Sequence, residues 1–195
     1  MSAKRLSGIA PASLRIAVLG WGSLLRRPGQ LAIRGDWHND GPCLPIEFAR
    51  ISHGKHLTLV IFPRRRLVQT YWAHSQCPTL DPAIKNLAMR EGTPDRNIGF
   101  LHRDGSQSTR FPRYVPRLRT WLTTHGLDAV VWTDLPSNFE KETKQRFSNS
   151  AALDYLRLAD PPVRATATDY VRIAPAQTRT QLRPRLEQEL GINPS

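Results

Sequence analysis

Cysteine is scarce in this chain. Its 195 residues include only Cys43 and Cys77, which show no Cys-x-x-Cys spacing. Two cysteines are too few for a disulfide scaffold. We expect both to be small buried side chains rather than nucleophiles. We therefore expect a protein of a reducing compartment, the cytoplasm.

Long hydrophobic runs are also missing. The longest largely apolar stretch, Leu57 to Phe62, suits a buried strand and is too short to span a membrane. The first residues, Met1 to Gly8, are basic and lack the apolar centre of a secretory signal. With no internal repeat, the sequence indicates one domain over residues 13–195, preceded by a disordered tail over 1–12.

Acidic side chains are few relative to basic ones. The chain carries 28 Lys and Arg against 16 Asp and Glu, a net charge of +12. The first 70 residues hold 11 basic and 3 acidic groups, with the densest cluster at Arg64–Arg66. Such an excess raises nucleic acid as a partner. Because no RNP-like motif, zinc-finger spacing or helix-turn-helix accompanies the cluster, we favour a small anionic substrate over nucleic acid.

The order of apolar patterns indicates an α+β fold. Strands come first and helices are mixed in later, which argues against a doubly wound parallel sheet. Apolar and β-branched runs predict strands over residues 14–19, 43–51, 56–62, 67–74, 98–101 and 129–132. Helical patterns cover residues 80–91, 114–125, 148–158, 165–173 and 178–190. The first of these helices has a plausible N-cap in Thr79 and a C-terminal stop in Gly92.

A glycine-rich turn follows the first predicted strand, in the sequence Gly20-Trp21-Gly22-Ser23-Leu24. Two glycines and a serine leave backbone N–H groups exposed at the strand's end, where they can bind an anion or a carbonyl oxygen. The spacing does not match a dinucleotide-binding fingerprint, since Leu25 stands where the third glycine belongs. It does not match a nucleophile elbow either. An ordinary tight turn remains the alternative.

Glu91 occupies an unusual place for a carboxylate. It falls seven residues after Ile84 and four after Leu87, so it continues the apolar stripe of the helix at its last turn. Burial and the negative end of the helix dipole both favour its protonated form, which suits a group that exchanges protons near neutral pH. The alternatives are a frayed, solvated end or a structural pair with Arg90 or Arg96.

Fewer signals surround the remaining candidates. Glu47 shares a strand face with Ala49 and Ile51, which hints at an inward carboxylate, although an exposed or arginine-paired Glu47 is the alternative we favour. The stretch Val131–Phe139 contains turn and capping residues that could close one side of a pocket. The six histidines are scattered with no acidic partner at ligand spacing, so we predict no metal site.

Two of these motifs together resemble a known family. The strand followed by Trp21-Gly22-Ser23-Leu24 is similar to the Tyr-Gly-Ser-Leu or Tyr-Gly-Ser-Asn signature of the γ-glutamylcyclotransferase-like superfamily. Leu80-Asp81 followed by Glu91-Gly92 resembles the stretch that carries the family's catalytic glutamate. The resemblance covers roughly residues 14–101; the rest is similar only to less-characterised bacterial members and forms a helical C-terminal extension.

The resemblance implies a fold and an activity. The fold would be a small mixed β-barrel with flanking helices. The activity would be cyclotransfer, in which the free α-amine of a γ-glutamyl group attacks its own γ-carbonyl and leaves 5-oxoproline, with no cofactor or metal. Glu91 would be the general acid/base, and residues Trp21, Gly22, Ser23 and Leu24 would bind the substrate. Two departures stand out: Trp21 replaces the signature's tyrosine, and Leu24 replaces the asparagine of some members.

Three functions therefore stay open. The first is a cytoplasmic, cofactor-free enzyme acting on a γ-glutamyl amide, with Gly20, Glu47 and Arg50 as further pocket residues and a positive rim from Arg26, Arg27 or Arg50. The second is a binding module of the same fold without catalysis. The third is a basic nucleic-acid-binding protein, which requires Arg64–Arg66 to join other basic groups on one face.

Overall fold

The computed structural model describes residues 13–193, so the tail predicted over residues 1–12 lies outside the described part of the chain. Within these residues the strands are β1 (Ile16–Gly20), β2 (Ile33–His38), β3 (Ile46–Ile51), β4 (Leu57–Ile61), β5 (Tyr71–Ser75), β6 (Ile98–His102), β7 (Gln107–Ser108) and β8 (Ala129–Thr133). The α-helices are α1 (Leu80–Glu91), α2 (Val115–Thr124), α3 (Phe139–Thr143), α4 (Asn149–Arg157), α5 (Pro161–Ile173) and α6 (Arg183–Glu189). The class is α+β, as expected.

A mixed sheet forms the centre of the fold. Its strand order is β2-β5-β1-β8-β6-β7, and β1 pairs with β8 in parallel while its other neighbour, β5, is antiparallel. Every residue of β1 is buried. This explains why Ile16–Gly20 reads as a continuous apolar run rather than an alternating one: both faces of the strand are covered.

The two faces of the sheet carry different layers. Ile16 and Val18 of β1 pack with Leu87 of α1 in one apolar cluster. Ala17 and Leu19 belong to a second cluster, which includes residues of β3, β4, α2 and the C-terminal helices. The period-two alternation of a strand assigns successive side chains of β1 to opposite layers.

The expected β-barrel is wrong. Strands β3 and β4 form a separate hairpin, and in the described part of the chain they pair only with each other. The open sheet ends at β2, whose pairing with β5 is interrupted by a register shift, and at the two-residue strand β7. A barrel needs continuous hydrogen bonding between its first and last strands. The isolated bridge between Leu44 and Val68 lengthens the hairpin but does not connect it to the six-stranded sheet.

Side-chain contacts hold the hairpin against the segment that follows β8. Asn138 accepts a hydrogen bond from the Ile51 amide at 2.8 Å and donates to the Ile51 carbonyl at 2.9 Å. The Asn138 side chain thus replaces a neighbouring strand for the end of β3. Because β1 and β8 are parallel, their C-terminal ends lie at one edge of the sheet, and the hairpin closes over that edge.

None of the helices within residues 13–193 is both long and apolar enough to cross a membrane.

Candidate active site

A cleft of about 1000 Å³ lies at the sheet edge where β1 and β8 end. Its walls come from the turn after β1, the end of α1, the β3–β4 hairpin, the segment after β8, and α5. Residues 133 and 135–138 line it, so the stretch after β8 does close one side. The two sequence motifs meet here, because Ser23 and Glu91 both belong to the lining.

Of the glycine turn, Gly20 to Leu24, fewer residues line the cleft than the sequence predicts. The Trp21 indole is 6% exposed and lies in the core, where its Nε1–H donates to the Leu59 carbonyl at 3.3 Å. Leu24 is buried in the cluster beneath α1. Gly20 lies at the end of β1 against the side chains of Leu25 and Trp37. Of the residues predicted to bind substrate, Ser23 is the one that lines the cleft.

Several backbone amides of the turn already have partners. The Leu25 N–H donates to the Gly22 carbonyl, and the Arg26 and Arg27 N–H groups both donate to the Ser23 carbonyl. These bonds form a short 3₁₀ turn over Ser23–Leu25. A substrate oxygen would therefore have to contact the first amides of the turn rather than the later ones.

Tyr170 of α5 lies against the turn, a contact that no sequence pattern indicated. A Cβ built on Gly22 would come within 2.8 Å of the Tyr170 hydroxyl oxygen. That hydroxyl accepts a hydrogen bond from the Leu59 amide at 3.3 Å. Burial raises the pKa of Tyr170 to about 12, and the nearby charge of Glu91 acts in the same direction. The hydroxyl thus keeps its proton at neutral pH and can donate it in a hydrogen bond.

Glu91 reaches the cleft from the end of α1. The helix stops there because Gly92 adopts a left-handed conformation with φ 59°. The Glu91 side chain is 19% exposed and pairs with the Arg90 guanidinium. Arg90 also donates to the Arg27 carbonyl at 2.6 Å, which ties the helix end to the glycine turn. Glu91 therefore lines the cleft and at the same time forms the ion pair with Arg90 that was considered as an alternative.

Arg50 lines the cleft, as predicted for a pocket residue. Its guanidinium donates to the Pro136 carbonyl at 2.7 Å. Burial lowers the pKa of Arg50, with Glu142 opposing and Arg110 adding to this shift. Arg50 is therefore fixed in place at the wall formed by the segment after β8.

Glu47 has a different position. It is 0% exposed, so its side chain is inward, and neither of the solvent-exposed or arginine-paired arrangements holds. One carboxylate oxygen accepts from the Phe48 amide at 2.9 Å and the other from the Leu182 amide at 3.3 Å. Burial raises the pKa of Glu47. Glu47 does not line the cleft, and its contacts attach the segment before α6 to the hairpin.

A serine–histidine pair from the hairpin loop also lines the cleft. Ser52 Oγ and His56 Nδ1 are 2.9 Å apart, and the His56 ring lies 5.2 Å from the Tyr170 ring. Burial lowers the pKa of His56, which favours the neutral ring. No sequence spacing could have predicted this pair as part of the site. Ser52 and His56 precede Tyr170 by at least 114 residues, and only the fold brings them together.

The charge of the lining is positive. Five cationic residues face three acidic ones, Glu91, Glu142 and Asp169. The cationic residues are Arg27, Arg50, Lys55, Arg90 and Lys141. Lys55 lies 3.5 Å from Glu142. The surplus suits an anionic ligand. Within residues 13–193 no group of three or more His, Cys, Asp or Glu side chains is arranged to hold a metal ion.

The contact between Gly22 and Tyr170 can be tested by a double-mutant cycle. We expect Gly22→Ala to destabilise the protein by about 1–3 kcal/mol, since its methyl group would displace the Tyr170 hydroxyl. In a Tyr170→Phe background the cost should fall by about 1 kcal/mol or more. Urea unfolding followed by tryptophan fluorescence measures all four proteins. Additive effects on the free energy of unfolding would show that the added methyl group does not collide with the Tyr170 hydroxyl.

Comparison of the chain with family models, curated proteins and solved structures finds no match.

Proposed function

We propose that the protein is an enzyme that cleaves a γ-glutamyl amide by intramolecular cyclotransfer, giving 5-oxoproline and a free amine. The observation that carries this proposal is the meeting of Ser23 and Glu91 in one cleft. Arg90 adds to it by joining the helix end to the turn. The resemblance of both motifs to the γ-glutamylcyclotransferase-like superfamily supports the same reaction.

In this reaction the α-nitrogen of the substrate attacks its own γ-carbonyl carbon. A five-membered ring closes, and the bond to the leaving amine breaks. The α-ammonium gives up two protons in total, and both end on the leaving amine, so no water is consumed. Glu91 is the group placed to take a proton from the ammonium and return it to the leaving nitrogen.

Tyr170 supports the carbonyl side of the reaction. Its oxygen accepts from the Leu59 amide, which leaves its proton available for a hydrogen bond that the hydroxyl donates. With a pKa of about 12 it is a hydrogen-bond donor rather than a base at neutral pH. A donor beside the turn would stabilise the negative charge that develops on the γ-carbonyl oxygen.

The positive lining suits the substrate's α-carboxylate. Arg27 and Arg50 both line the cleft, and the Arg50 guanidinium is held there by its hydrogen bond to the Pro136 carbonyl. Fixing the carboxylate would hold the glutamyl chain folded, which brings the amine close to its own carbonyl. Ring closure depends strongly on such positioning.

A binding module without catalysis is the second candidate. The observation in its favour is the Arg90–Glu91 pair, because the arginine occupies the carboxylate that the reaction would need. Such a protein would bind γ-glutamyl compounds and leave them intact.

The two candidates differ in what the purified protein does to a panel of γ-glutamyl amines. The enzyme is expected to release 5-oxoproline from at least one of them, measured by chromatography coupled to mass spectrometry. Ligand-induced thermal stabilisation with no product from any member of the panel would favour the binding module instead.

A further inference from the structure

An arginine-rich surface shares no lining residue with the cleft and has no role in the proposed reaction. Two smaller clefts, of about 720 and 870 Å³, both include Arg64, Arg65 and Arg113 in their linings. They therefore adjoin and form one surface. Arg110 lines the first and Arg117 the second. We call these five residues the arginine face.

The lining of the arginine face contains no acidic side chain among the described residues, although the buried Glu47 is close enough to Arg65 for their charges to interact. Among residues 13–193, none of its five arginines forms an ion pair with a carboxylate within 4.0 Å. By contrast, Arg15, Arg103, Arg157 and Arg183 elsewhere all have such partners.

Aromatic rings alternate with the arginines. Phe62 and Phe111 line the first cleft, and Tyr114 and Trp121 line the second. The Arg65 guanidinium lies 5.8 Å from the Phe62 ring centre, and that of Arg113 lies 5.4 Å from the Tyr114 ring centre. Phe62, Phe111 and Tyr114 are partly exposed. Guanidinium groups beside partly exposed aromatic rings are a combination that can hold phosphates and unpaired bases.

Two of the five arginines donate hydrogen bonds from their side chains, and within residues 13–193 the other three do not. The Arg110 guanidinium donates to Asn97 at 2.7 Å and to the Asp134 carbonyl at 3.0 Å. Arg65 donates to Gln181 at 2.9 Å. Arg64, Arg113 and Arg117 are exposed and are the groups positioned to meet a ligand.

We propose that the arginine face binds single-stranded nucleic acid, with the phosphates on its exposed arginines and bases in its two aromatic-walled clefts. The fold thus brings Arg64 and Arg65 of the Arg64–Arg66 cluster onto one surface with arginines that follow them by some 45 residues or more in the chain. A single strand fits better than a duplex, because the surface is concave and its rings can reach only bases that are not already stacked. The inference is independent of the proposed reaction.

The test is fluorescence anisotropy of the full chain with a labelled single-stranded oligonucleotide of about 12 nucleotides. Binding should weaken steeply with salt, and the duplex of the same sequence and inorganic polyphosphate should bind more weakly. The variant R113A/R117A should lose affinity on the order of 10-fold, with a salt slope about 2 smaller. The charge-matched control R34A/R185A removes two exposed arginines that line neither cleft and should bind like the wild type.

Arg64 offers a variant whose folding is not in question. It has a left-handed backbone with φ 69°, which glycine adopts without strain. Arg64→Gly should therefore fold at least as well as the wild type and still lose affinity. Equal binding by R113A/R117A and its control would overturn the proposal. Binding of polyphosphate or duplex as tight as that of the single strand would overturn it as well.

Discussion

Replacing Glu91 by glutamine should abolish 5-oxoproline formation while leaving the fold intact. Glutamine keeps the size of the side chain but cannot take the proton from the substrate ammonium or return it to the leaving amine. The expected loss is on the order of 10²–10⁴-fold in rate, the usual contribution of a positioned acid/base. The stability cost should stay within about 1–2 kcal/mol, since the glutamine side chain keeps a carbonyl oxygen that can accept a hydrogen bond from Arg90. Product formation and thermal unfolding are the two measurements.

Glu142→Gln is the matched control for this experiment. Glu142 lines the same cleft and carries the same charge, but it pairs with Lys55 from the hairpin loop, whereas Glu91 joins the glycine turn through Arg90. We expect its activity to remain close to that of the wild type. Equal activities for the two variants would remove Glu91 from the mechanism.

Replacing Arg183 by methionine should destabilise the protein more than any other single change considered. Arg183 is 5% exposed and donates to the carbonyls of Val171, Ala174 and Pro175 at 3.1, 3.0 and 2.6 Å. It also pairs with Glu187 at 2.7 Å. Methionine would fill part of the volume but leave these acceptors without a donor. We expect a loss of about 3–5 kcal/mol in the free energy of unfolding.

Arg185→Met is the control, because Arg185 is exposed on the same helix. Its effect should stay within about 0.5 kcal/mol. Urea denaturation reports both values. A loss for R183M no larger than that for R185M would mean that Arg183 does not secure the end of α5. Since α5 carries Tyr170, we also expect R183M to weaken activity at temperatures where the protein is still folded.

Local signals were sufficient to predict α1 and its carboxylate. The spacing from Thr79 to Gly92 predicted a helix over residues 80–91, and the observed bounds are Leu80–Glu91. The C-terminal end is set by the left-handed Gly92, whereas Thr79 takes the N-cap position without a capping hydrogen bond from its side chain. The strands of the first half were also located to within a few residues, although β2 was missed because its side chains are mostly exposed.

Long-range contacts explain what the sequence could not predict. Tyr170 reaches the turn at Gly22 from a helix near the C-terminus, and no periodicity connects positions so far apart. Glu47 turned out to be buried because the segment around Leu182 covers it and supplies an amide. The barrel was wrong for a related reason: strand patterns do not reveal whether a sheet closes. The side chain of Trp21 packs in the core, so the turn's contribution rests on its backbone and on Ser23.

The most direct test of the proposed reaction is product analysis of a γ-glutamyl amide turned over in water enriched in heavy oxygen. An intramolecular attack by the α-nitrogen consumes no water. We therefore expect 5-oxoproline without the heavy isotope, together with one equivalent of free amine. Glutamate carrying heavy oxygen would show that water, and not the substrate's own amine, attacks the carbonyl, and would contradict cyclotransfer.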